Sequence, residues 1–176
     1  MTNAGGEVGN ERCSRQSLEG QARRAVIAAY CMLASRNRLN VATSYIDDEG
    51  VDLFVNRWRG RSTLALQVKS KYSDSVEIGR DEFIVNVSRR TFEPRPNYYV
   101  VFVLVDEELV RLNPMWLVPS QVLGEKSPGS KDIRFAANLA TVGKGLGQWE
   151  EYVVTLEGLP GKILGILDGL EPAQTG

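Results

Sequence analysis

The sequence predicts a single α/β domain with a central mixed β-sheet flanked by helices. Three observations lead there. A segment with helical apolar spacing, residues 18–35, precedes two strand-like stretches, residues 51–58 and 63–71. Between those two stretches lies Arg59-Gly60-Arg61-Ser62, a turn signal that makes them a hairpin. Every residue from Tyr98 to Val105 is apolar, the pattern of a strand buried on both faces, so helices are expected to cover both sides of the sheet. The chain has 176 residues, enough for one domain, and its 43% hydrophobic content can build a core.

Residues 1–13 are Gly-rich and polar and lack the apolar centre of a secretory signal, so they are expected to form a disordered tail. The folded domain is expected over residues 14–171, with residues 172–176 as a second tail. Ser17 is the predicted N-cap of the first helix. Leu18, Ala22, Ala25, Val26, Ala29, Tyr30 and Leu33 recur at helical spacing and predict its buried stripe. Glu19 falls at the margin of that stripe. Two readings stand for it: a carboxylate directed at a metal in the sheet, or an acid complementing the helix dipole near the N-terminus.

A short strand is expected at Val41–Tyr45, followed by the acidic turn Asp47-Asp48-Glu49-Gly50. In that turn Asp48 and Glu49 are minor candidates for outer metal ligands. Along the hairpin's second strand, Leu64, Leu66 and Val68 alternate with Ala65, Gln67, Lys69 and Lys71. Strand side chains repeat every two residues, so Gln67, Lys69 and Lys71 share a face. Asp52 opens the partner strand, where pairing would bring it near Gln67. An acid, an amide and a lysine so placed make a phosphodiesterase set. Mg²⁺ takes oxygen ligands while keeping water and phosphate oxygens, and a lysine beside it can orient the attacking water and offset charge on the phosphate. The alternatives are structural: Asp52 bonding the local backbone, Lys69 facing solvent.

Residues 78–87 form a second amphipathic element, in which Phe83-Ile84-Val85-Asn86-Val87 favours a strand. Pro94 and Pro96 make residues 91–97 a loop. Leu109–Leu112 and Met115–Val118 are expected as two short strands broken by Asn113-Pro114, and a short helix should begin at Gln121 with Ser120 as its cap. Gly143-Lys144-Gly145-Leu146-Gly147 lacks the Lys-Ser/Thr ending and the strand-to-helix setting of a phosphate loop, and reads as a flexible turn. Residues 162–170 predict a last short helix.

Composition narrows the chemistry. The chain contains no histidine, which removes Ser-His-Asp and Cys-His catalysis and the usual zinc hydrolases. The two cysteines, Cys13 and Cys31, form neither a disulfide framework nor a metal pair, which fits a reducing cytoplasm. No apolar run is long enough to span a membrane. The net charge is −1, but residues 51–95 carry nine Lys and Arg against six Asp and Glu, a local excess of +3. Such an excess suits phosphate contacts, and is equally met by solvated strand and loop charges.

At Glu49-Gly50-Val51-Asp52 and Leu66-Gln67-Val68-Lys69-Ser70 the chain resembles the PD-(D/E)XK, or restriction-endonuclease-like, nuclease superfamily. The likeness is to its Mrr-type branch, in which Gln replaces the second acid. The resemblance covers about Ser17 to Lys71, and extends weakly through Tyr98–Val105 and Trp116-Leu117-Val118-Pro119-Ser120. It implies a restriction-endonuclease-like domain and a Mg²⁺- or Mn²⁺-dependent endonuclease acting on DNA in restriction, repair or defence, often as a homodimer. Asp52, Gln67 and Glu19 would then hold the metal, Lys69 would position the water, and Lys71, Arg57, Arg59 and Arg61 would contact the nucleic-acid backbone. Gln67 departs from the usual acid and brings no charge, so metal binding should be weaker than with Glu. The alternative function is a nuclease-fold module without strong catalysis that binds protein or nucleic acid, using aromatics such as Trp58, Trp116 and Trp149.

Overall fold

The computed structural model describes residues 7–44, 50–75, 78–106, 111–127 and 131–171, with side chains from Gly20 onward. It is a mixed α/β fold around a six-stranded mixed sheet. Helix α1 (Glu7–Ala34) leads into β1 (Leu39–Thr43), β2 (Leu53–Arg57) and β3 (Thr63–Tyr72). β4 (Glu82–Ser88) follows, then β5 (Tyr98–Asp106), β6 (Arg111–Pro119), α2 (Ser120–Glu125), β7 (Asp132–Asn138), β8 (Val153–Val154) and α3 (Leu159–Leu170). The sheet order is β1-β2-β3-β5-β6-β8. β3 and β5 are parallel and the other neighbours antiparallel.

The alternation along β3 sorts two cores. Leu64 and Leu66 join Val101 and Val103 of β5 under α1 and α3. Ala65 joins Tyr98, Val100 and Phe102 on the opposite face. Helices cover only the first face as fully as predicted. The second is roofed by a separate two-stranded sheet, β4 with β7, with the six-residue α2 at its margin. Period-2 burial explains that roof: Phe83 and Val87 from β4 and Ile133 and Phe135 from β7 point into the same core.

Several boundaries differ from expectation. α1 begins at Glu7, upstream of the predicted cap Ser17 and inside the predicted tail. Its buried residues are Ile27, Ala28 and Cys31, whereas Ala22, Ala25 and Ala29 are exposed, with Val26 at 50% and Leu33 at 76%. From Ala22 to Leu33 the predicted stripe therefore faces largely outward, with Tyr30 half-buried. From Ala25 to Leu33 every residue is apolar, so periodicity offered no unique face, and packing of Ile27 and Cys31 decided it. The predicted break at Asn113-Pro114 is absent: β6 runs through it as one strand, with that peptide cis. Ser120 does not cap α2. Its buried hydroxyl instead donates to the Arg95 carbonyl and accepts from the Arg95 N–H, both at 2.9 Å. Trp116 and Trp149 are buried in the second core, and Trp58 is exposed. The acidic turn at residues 47–49 lies outside the described residues. No helix among the described residues is long and apolar enough to cross a membrane.

Candidate active site

The hairpin register sets the site. Leu53 pairs with Leu66, and the Asp52 N–H donates to the Leu66 carbonyl at 2.8 Å, so Asp52 stands opposite Gln67. There the β2–β3 ladder ends and β3 continues to Tyr72 beside β5. The Asp52 side chain takes over where backbone pairing stops: its Oδ2 accepts the Val68 N–H at 2.6 Å. The other oxygen, Oδ1, pairs with Arg24 Nε of α1 at 3.0 Å. Asp52 and Gln67 are each only 4% exposed. A buried carboxylate needs partners of this kind, since burying an unpaired charge costs several kcal/mol, of the order of 3–5 when one partner of a pair is removed.

Gln67 is held as firmly. Its Oε1 accepts from the Tyr98 hydroxyl at 3.1 Å, and the same hydroxyl lies 3.3 Å from the Gly50 carbonyl. Gly50 adopts φ +65°, and a side chain there would sit 3.0 Å from Gln67 Nε2 and 3.2 Å from the Thr91 carbonyl and hydroxyl. A glycine is required by conformation and space alike. Burial, followed by the negative charge of Asp52, raises the Tyr98 phenol well above the ordinary tyrosine range, against a smaller lowering by Arg95. Tyr98 therefore stays a neutral donor to Gln67.

The sign of that shift gives a testable pH dependence. A raised folded-state pKa contributes stability that is complete below the unfolded tyrosine value, ~10, and declines as pH rises beyond it. Tyr98→Phe should cost about 1–2 kcal/mol near neutrality by removing the one hydroxyl donor that the Gln67 and Gly50 oxygens share. It should also flatten the loss of stability above pH ~10. Urea midpoints of both proteins across the alkaline range check this; parallel curves would show that Tyr98 does not titrate as the geometry requires.

The other predicted residues divide by position. Lys69 is half-buried and shares the Gln67 face of β3, one pleat further on. Lys71 lies on that face too, and its Nζ donates to the Ile84 carbonyl of β4 at 3.1 Å. Glu19 belongs to α1, and its side chain lies outside the described residues. Arg57, Arg59 and Arg61 are not brought to Asp52. They occupy the opposite end of the β2–β3 hairpin, and Arg57 lies five residue steps, roughly 16 Å, along the strand from Asp52. There Arg57 pairs with Asp168 at 2.6 Å, and the Arg61 N–H donates to Glu171 Oε1 at 3.1 Å. Sequence reasoning missed Arg24 and Tyr98. The available signals were a cation at the edge of the apolar segment of α1, residues 25–33, and a tyrosine hydroxyl at the head of an otherwise apolar strand.

The donor chemistry is specific. Asp52 and the Gln67 carbonyl offer hard oxygens, with no imidazole and no thiolate nearby. A carboxylate has about four acceptor positions and an amide oxygen two. This pair suits a hard cation that keeps most of its ligands as water or phosphate. It is a lean set: among the described residues no three His, Cys, Asp or Glu side chains gather as a metal cluster.

No protein-family model matches the chain, and no curated protein matches it. Among solved structures it is similar to a bacterial homing endonuclease, I-Ssp6803I, with 18% identity and a TM-score of 0.48 over 82% of this chain and 89% of that one. It is also similar to Archaeoglobus fulgidus Hjc, a Holliday junction resolvase from an archaeal hyperthermophile. There the identity is 11% and the TM-score 0.40, over 73% of this chain and 94% of that one. Likenesses of this size carry no conclusion about this chain, and its functional reading rests on its own geometry.

Proposed function

We propose that the chain is a metal-dependent endonuclease that hydrolyses phosphodiester bonds in DNA. One observation carries this reading: a buried carboxylate and a buried amide, Asp52 and Gln67, stand opposite each other where β2 leaves β3, with Lys69 next on the same face as Gln67. Mg²⁺ or Mn²⁺, when bound, would neutralise charge on the scissile phosphate. Asp52 and the Gln67 carbonyl would hold it, with Glu19 as the third ligand from α1. The Lys69 ammonium would position the attacking water and stabilise charge growing on the phosphate oxygens. Tyr98 keeps the Gln67 carbonyl oriented, and Arg24 keeps the Asp52 carboxylate aimed. A homodimer cutting both strands, working in a cytoplasmic restriction, repair or defence setting, completes the reading.

A second reading is favoured by a specific observation. Arg24 already places a cation on Asp52, and Tyr98 already occupies the Gln67 oxygen. A nuclease-fold module that binds nucleic acid or protein without cutting would look the same, with exposed Trp58 as its aromatic contact.

Incubation of plasmid, linear duplex, single-stranded and branched DNA with Mg²⁺ or Mn²⁺ separates the two. The wild type should cut at least one substrate, and Asp52→Asn and Lys69→Ala should each lose on the order of 100-fold or more, the scale of removing one transition-state contact. Asp52→Asn keeps the shape and an acceptor for the Val68 N–H, so the comparison is between folded proteins. Cutting that survives in both variants would refute the assignment. A wild type that cuts nothing would leave the binding module standing.

A further inference from the structure

We infer that the loop joining β4 to β5, residues 89–97, is the surface that grips the nucleic-acid backbone beside the site, through Arg89, Arg90 and Arg95. The inference rests on the nucleic-acid reading above and adds where the phosphates lie. The loop holds three arginines and a single acid, Glu93. Arg89 and Arg90 are exposed and Arg95 is half-buried.

Contacts fix the loop to the site. Thr91 packs against Gly50 so closely that a side chain at Gly50 would meet Thr91 and Gln67 together. The Arg95 guanidinium lies over the Tyr98 ring, 5.5 Å from its centroid, and the Tyr98 hydroxyl bonds Gln67. A phosphodiester brought to Gln67 therefore meets this loop.

The loop is also built to hold its shape. Phe92 is buried, with its ring 5.6 Å from that of Tyr98. Ser120 bonds both backbone groups of Arg95, whose carbonyl also accepts the Tyr98 N–H at 3.1 Å. Arg89 donates to the Ser127 carbonyl. Arginines on a fixed backbone lose less freedom on binding, and their planar fork suits phosphate oxygens. At the far end of the hairpin, Arg57 and Arg61 lie instead among Asp168 and Glu171, which lowers the local positive potential.

The test is binding of a fluorescent duplex DNA in EDTA, which removes any metal-dependent cutting, at salt between about 50 and 200 mM. Each phosphate-contacting arginine removed should weaken binding and reduce the slope of log affinity against log salt by about 1. Arg90→Ala should do so without affecting the fold, since Arg90 is exposed. Arg90→Ala with Arg95→Ala should do so twice over, with its melting temperature as the folding control. Arg59→Ala with Arg61→Ala should leave the slope unchanged. Salt-dependent binding by the wild type that the loop variants leave intact overturns this inference and spares the nuclease reading. A wild type with no salt-dependent DNA binding overturns both.

Discussion

Phe135→Ala is expected to lower stability by about 3–5 kcal/mol, the range for deleting a buried aromatic side chain. Phe135 sits on β7, fully buried, and its ring joins both layers of the second core. It stacks on Phe102 of β5 with centroids 3.9 Å apart and planes at 13°. Trp149 lies 4.8 Å away, Trp116 of β6 5.4 Å and Phe83 of β4 6.0 Å. No neighbour can fill the space without leaving its own packing, so the cavity term adds to the lost burial. The consequence reaches the site, because β4–β7 roofs the face that carries Gln67, Lys69 and Lys71, and the Arg-bearing loop begins where β4 ends. Urea denaturation gives the total, and hydrogen exchange locates it: amides of β4 and β7 should lose more protection than those of β1 to β3. A loss below about 1 kcal/mol would mean that the aromatic cluster does not hold the roof in place, since an uncompensated deletion cannot cost so little.

The sequence was legible where a local pattern had one solution. Alternation fixed the two faces of β3, the turn at residues 59–62 set the pairing of Leu53 with Leu66, and that pairing brought Asp52 to Gln67. The unbroken apolar run of β5 announced a strand with both faces covered. What the run could not say is what covers it, because a helix and a two-stranded sheet bury the same apolar surface. The face of α1 was illegible for a related reason: a segment apolar on every side gives periodicity nothing to choose between. Arg24 and Tyr98 were hidden by distance. Their partners lie 28 and 31 residues away along the chain, and only the packed fold places a helix arginine on Asp52 and a strand hydroxyl on Gln67. Ser120 shows the same effect across 25 residues, where a residue suited to capping was taken by the Arg95 backbone.

Arg24→Ala and Asp52→Asn break the same ion pair and are expected to have unequal costs. The Asp52 side chain is 5% exposed and that of Arg24 31%. Removing the arginine leaves a carboxylate charge in the protein, and losses of about 3–5 kcal/mol are usual for a fully buried pair. Solvent around Arg24 screens part of the interaction, which brings the expected cost to about 2–3 kcal/mol. Asp52→Asn leaves a guanidinium that can turn toward water, so it should cost less. The inequality bears on function, because the Arg24 guanidinium sits on the carboxylate that the proposed cation must share. With Arg24 present the two positive charges compete; without it the cation no longer competes with a guanidinium for the Asp52 carboxylate, which keeps its bond from the Val68 N–H. Mg²⁺ or Mn²⁺ should therefore raise the melting temperature of Arg24→Ala more than that of the wild type, with a gain that grows with ion concentration to about 2.7 kcal/mol at 100 times Kd. Asp52→Asn should abolish the gain. If neither ion shifts the wild type or Arg24→Ala, Asp52 and Gln67 do not form a cation site, and their burial serves the hairpin and helix α1 alone.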